Sequence, residues 1–163
     1  MGSNWPPMRR RGPVVNESEI AALESRLGFS LPDDYRRFLL EVNGGRTARS
    51  HAEISNIVIT GLLGLGDRTD PSCDLDECAE WARNVLPSPD LMMIGYSEIG
   101  MVMLAHAGPH RGEVWHKDSG NTRPTGSNPR VLWHDRRDLK KLANSFEEFM
   151  VGLGPDRFAV QAP

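Results

Sequence analysis

The sequence predicts an α+β protein in one domain: an N-terminal helical hairpin, a mainly antiparallel sheet, a connecting helix and a C-terminal helix. Three observations carry that prediction. Residues 20–45 hold two stretches of helical period separated by a turn. Three strand-like runs follow one another between Leu91 and Lys117, joined by turns too short for parallel crossovers. The chain has 163 residues, 39% hydrophobic and 25% charged, which suits one folding unit with a substantial core.

Residues 1–13 combine three prolines with Arg9, Arg10 and Arg11, and are expected to form a flexible arm. Positive charge without a following apolar run is not a secretory signal. The domain is expected over 14–153, followed by a flexible tail over 154–163. In the first helix Ile20, Leu23 and Leu27 share a face, Asn16 and Glu19 form a capping box, and Gly28 supplies the left-handed end. In the second, Tyr35, Phe38, Leu39 and Val42 repeat the pattern. Pro32 suits its first turn, Ser30 and Asp33 offer a weaker cap, and Asn43-Gly44-Gly45 ends it.

A strand is expected over residues 52–60, rich in β-branched side chains. The glycines at 61, 64 and 66 do not make a phosphate loop. Their spacing is wrong, no Lys-Ser or Lys-Thr follows, and Asp67 would repel an anion. They are expected in an apolar turn. Between Asp67 and Glu80 six carboxylates face one arginine, Arg68. A helix is expected to begin near Asp74, capped with Glu77, and to bury Leu75, Cys78, Ala79, Ala82 and Val85. The three strand-like runs come next, then a polar loop over 117–130 and a short strand at Val131-Leu132-Trp133. The last helix is expected from Asp138, with Leu139, Leu142, Ala143, Phe146, Phe149, Met150 and Leu153 inward.

Composition narrows the function. A net charge of −3 gives no dominant basic field, so direct nucleic-acid binding is not expected, and no stretch is apolar for long enough to span a membrane. Cys73 and Cys78 are too few for a disulfide scaffold, and a reducing cytoplasm is the expected location. The five histidines lack ligand spacing, so no metal and no cofactor are expected. No nucleophile motif is present, and no catalytic residue is assigned. Glu98 and Glu113 make a carboxylate pair only if the fold brings them together. Trp81, Trp115 and Trp133 are expected in the core, with one of them open to an interface role.

The ordered string Ile20, Glu24, Leu27, Gly28, Leu31, Pro32, Tyr35, Phe38, Leu39, Asn43, Gly44, Gly45 resembles the opening motif of the SUKH superfamily. These are bacterial toxin-immunity proteins related to a yeast cell-wall regulator. Two later runs, Ile94 to Trp115 and Leu142 to Phe149, resemble the same pattern. The resemblance implies an α+β binding protein, not an enzyme, that neutralises a polymorphic toxin, often a nuclease, by occlusion. A nuclease presents a basic groove, so Asp70, Asp76, Glu77 and Glu80 are the residues expected to meet it. The alternatives are a regulatory scaffold of the same superfamily, or an enzyme using the histidines and glutamates of the second half. The oligomeric state is open.

Overall fold

The structure, a computed structural model, describes residues 5–48, 51–52, 56–67, 74–118 and 137–154. It is an α+β fold in which an antiparallel sheet of seven strands dominates, with four helices interspersed among the described residues. The expectation of a helical hairpin ahead of the sheet is overturned. The first element is a strand, β1 (Met8–Arg11), and both following helices lie between it and its antiparallel partner β2 (Gly45–Thr47).

Strand β1 falls within the segment 1–13 and pairs in the sheet. Met8 and Arg10 are less exposed than Arg9 and Arg11, the alternation of a strand with one covered side. Arg10 is tolerated there because the buried carboxylate of Asp67 meets it at 2.7 Å. Trp5 is buried too, with its Nε1–H donating to Glu41 at 2.6 Å and its ring packed edge-on against Phe38 and Phe146. One aromatic anchor, Trp5, and one ion pair, Arg10 with Asp67, join this stretch to the domain.

Helix α1 (Glu17–Leu27) is built as its sequence predicts. Asn16 accepts from the Glu19 backbone at 3.0 Å, Glu19 accepts from the Asn16 backbone at 2.8 Å, and Gly28 closes the helix at φ 80°. Ile20 and Leu23 are buried. Helix α2 (Asp33–Glu41) buries Tyr35, Phe38 and Leu39. Its N-cap is Pro32, with no side-chain cap from Ser30 or Asp33. Asp34 takes the bonding role, accepting from the Tyr35 backbone and from the Glu147 backbone of a distant helix.

The Asn-Gly-Gly stop is the tightest joint in the fold. Asn43, 1% exposed, donates to the carbonyls of Pro13 and Leu65 and accepts from the Leu65 backbone. All three of its bonds therefore hold separate stretches of chain together. A Cβ on Gly44 would lie 2.6 Å from the Gly64 nitrogen, and one on Gly64 would lie 2.2 Å from the Asn43 carbonyl oxygen. The glycines after β4 (Ile57–Leu62) thus serve close backbone packing against Asn43, and Leu63 fills the core beside them.

Helix α3 (Leu75–Ala82) leads into β5 (Leu91–Ser97), β6 (Gly100–Ala105) and β7 (Val114–Asp118), antiparallel neighbours as expected. The predicted last helix is divided. Leu139–Ala143 is a strand, β8, beside β7, and only Phe146–Val151 is helical, α4. Apolar residues at 139, 142 and 143 fit either period over so short a run. Ser145 decides the matter by accepting from the Glu148 backbone at 3.0 Å and starting the helix there. Two short strands complete the set: β3 (His51–Ala52) pairs with β4 and with β9 (Leu153–Gly154). In order the main sheet runs β1-β2-β4-β5-β6-β7-β8. Tyr35, Phe38, Phe146 and Phe149 pack with Trp5 into an aromatic cluster between α2 and α4. The strand expected at 131–133 lies outside the described residues.

Candidate protein-binding surface

The acidic segment divides into structural and free charges. Asp67 is 1% exposed and pairs with Arg10. Asp74 is the N-cap of α3, accepting from the backbones of Asp76 at 2.9 Å and Glu77 at 3.3 Å, without a reciprocal bond from Glu77. The start of the helix is fixed further by Leu75, whose N–H donates to Gly64 at 2.9 Å. Asp76 is partly exposed and meets Arg26 of α1 at 3.0 Å. Glu77 and Glu80 are exposed and form no ion pair among the described residues. Asp70 and Cys73 lie outside those residues. Of the four carboxylates expected to meet a partner, the structure brings Asp76, Glu77 and Glu80 onto one helix.

That helix carries more than charge. Leu75, Ala79 and Ala82 face the core, whereas Trp81 is 57% exposed and Val85, just beyond the helix, is 43% exposed. Val85 was expected inside. The helix ends at Ala82, which turns Val85 off the buried stripe. Trp81 follows Glu77 by one helical turn (i, i+4), so an indole of large apolar area neighbours that carboxylate on the helix surface, and Glu80 directly precedes it in sequence. The expectation that Trp81 lies in the core is overturned: the stripe of Leu75, Cys78, Ala79 and Ala82 leaves position 81 facing away. Cys78 is a partly buried thiol 3.3 Å from the Tyr96 hydroxyl.

The other tryptophans behave differently. Trp115 is buried, donating to Glu113 at 2.9 Å. Trp133 lies outside the described residues.

Among the described residues of the second half, Glu98 and Glu113 do not meet. Register places Glu98 beside the Gly100–Asp118 end of β6 and β7, and Glu113 beside their Leu104–Val114 end. These carboxylates are therefore at opposite ends of the strand pair. Glu113 instead binds His110 at 2.8 Å and Lys141 at 3.6 Å. His116 is buried, 2.7 Å from the Ser97 hydroxyl, and burial lowers its pKa. His106 is buried with Nε2 2.8 Å from the Pro89 carbonyl, and burial lowers its pKa as well. The side chains of His51 and His134 are not among those described. Among the described residues no three His, Cys, Asp or Glu side chains gather as a metal-binding group, and no helix is long and apolar enough to cross a membrane.

No curated protein sequence matches the chain. The profile of the SMI1 / KNR4 family (SUKH-1) matches residues 14–152, from the entry of α1 through α4. The chain belongs to the SMI1 / KNR4 family (SUKH-1).

Proposed function

We propose that this protein is a non-catalytic immunity protein that neutralises a protein toxin by covering it with the outer face of α3. Family membership supports a protein-binding role of the immunity or regulatory kind. The observation that carries the finer reading is Trp81, 57% exposed on the helix that carries Glu77 and Glu80, two exposed carboxylates with no ion pair among the described residues. Tryptophan is a frequent energetic centre in protein interfaces. The acidic border suits a basic partner such as a nuclease, whose groove must hold phosphates. Occlusion requires no bond to be made or broken. Asp76, Glu77 and Glu80 act by steering and Trp81 by desolvation, with Asp70 extending the acidic border in sequence.

Association kinetics with the toxin encoded beside this gene separate these roles. Reversing Glu77 and Glu80 to Lys is expected to slow association roughly tenfold or more at low salt and much less at high salt. Folding stability is expected to fall by about 1–2 kcal/mol at most, chiefly because Glu77 leaves the first turn of α3, while the exposed Glu80 contributes little. An unchanged association rate at both ionic strengths removes α3 from the binding surface. A neighbouring gene that encodes no toxin would favour the regulatory role instead.

A further inference from the structure

The opposite flank of α3 borders a cavity. The end of α1, the turn after α3, the start of β5 and the end of β6 enclose about 430 Å³. Its walls are chiefly apolar, with Leu27, Phe29, Leu86, Leu91 and Met92 among them. Protein interiors rarely leave voids larger than a water molecule, whereas ligand sites of this size are usually apolar with a few placed polar groups. The cavity fits the second description.

Three polar side chains enter the wall, and their commitments differ. Ser88 accepts from the Asp90 backbone at 3.1 Å. His106 lies with its ring stacked on Phe29, centroids 3.3 Å apart and planes 5° apart, and holds the Pro89 carbonyl through Nε2. Its Nδ1 is buried and has no hydrogen-bond partner among the described residues. A buried unsatisfied nitrogen beside a cavity is a recognised mark of an absent water or ligand. Arg83 is exposed, projects from the α3 end into the same wall, and pairs with no carboxylate among the described residues. An unpaired guanidinium is a planar fork suited to one carboxylate.

We propose that this cavity binds a small amphipathic carboxylate, its apolar body between Leu27, Phe29 and Met92 and its carboxylate on Arg83. Among the described residues, Arg83 is the one arginine or lysine of a wall in which Ser88 and His106 Nε2 are already committed to backbone groups, and it sets that chemistry. A neutral apolar ligand leaves the guanidinium unused, and a polyanion has one cation for several charges. The carboxylate would also offset the positive field that Arg83 exerts on His106. The inference stands apart from the toxin-binding reading, because Ala79 and Arg83 border the cavity while Trp81 lies on the other side of the helix.

The test uses the full chain and no partner protein. 3-Phenylpropionate and 3-phenylpropan-1-ol are titrated separately while the Met92 methyl and His106 ring signals are followed by NMR. The carboxylate is expected to bind saturably with Kd on the order of 1 mM or tighter, to shift both signals and to raise the titration midpoint of His106. The alcohol is expected to bind at least tenfold more weakly. In Arg83→Gln, a surface change that leaves the core intact, that preference is expected to vanish while the affinity for the alcohol stays the same. Absence of saturable shifts at Met92 and His106, equal binding of the two probes, or a preference that survives in Arg83→Gln would overturn the proposal.

Discussion

Helices α2 and α3 are of similar length and both carry acids in the first turn, yet they spend their aromatic residues in opposite ways. Helix α2 turns Tyr35 and Phe38 inward, 1% and 0% exposed, and is tied at one end by Asp34 to α4 and at the other by Asn43 to Pro13 and Leu65. Helix α3 turns only Leu75, Ala79 and Ala82 inward and leaves Trp81 in water. The difference separates architecture from binding. A helix that spends its large side chains on the core supports the fold. One that buries alanines and exposes an indole among carboxylates has contact area left for another molecule.

The contrast is sharpest where the fold is cut. Phe38→Ala removes a fully buried ring that packs on Trp5, Tyr35 and Phe146, and is expected to cost about 3–5 kcal/mol in urea unfolding. A loss below about 1 kcal/mol would deny α2 its architectural role. Asn43→Ala leaves the Pro13 and Leu65 groups without their partner and puts alanine at φ 55°, for an expected cost of about 2–4 kcal/mol. Thermal or urea unfolding measures this directly, and a near-neutral result would mean that the joint carries little of the stability.

A smaller effect comes from the buried histidines. Burial holds His106 and His116 below the ordinary histidine pKa of 6.5, so the folded protein keeps them neutral where the unfolded chain takes up protons. Their contribution is full above about pH 6.5 and is lost as pH falls through the lowered folded values. The urea midpoint is therefore expected to fall between pH 7 and pH 5, and His116→Gln is expected to flatten that slope. The same slope in both proteins would show that His116 is not held neutral by the fold.

Legibility followed the range over which the physics acts. The capping box at Asn16 and Glu19, the left-handed Gly28 and the strands β5 to β7 depend on neighbours in sequence, and they were readable. The outward place of Trp81 is equally local, since helical spacing sets it off the stripe of Leu75, Ala79 and Ala82, but its aromatic character led to its being expected in the core. What depends on distant chain was not readable. Arg9 to Arg11 read as a solvated charge run because Asp67, which makes Arg10 acceptable in a strand, lies more than fifty residues away. Leu139 to Ala143 was ambiguous between helix and strand until β7 supplied its hydrogen bonds. The cavity beside Arg83 had no sequence signal, since α1, α3, β5 and the end of β6 each contribute only a few of its residues.

The contrast between the two helices is tested most directly by Trp81→Ala, measured for both unfolding free energy and affinity for the protein partner, with the products of neighbouring genes as the first candidates. Unfolding is expected to shift by no more than about 0.5 kcal/mol, because the indole is mostly in water. Affinity is expected to fall at least about thirtyfold, equivalent to about 2 kcal/mol. Unchanged affinity would contradict the assignment of α3 as the binding surface. A loss of stability comparable with that of Phe38→Ala would show that Trp81 supports the fold after all.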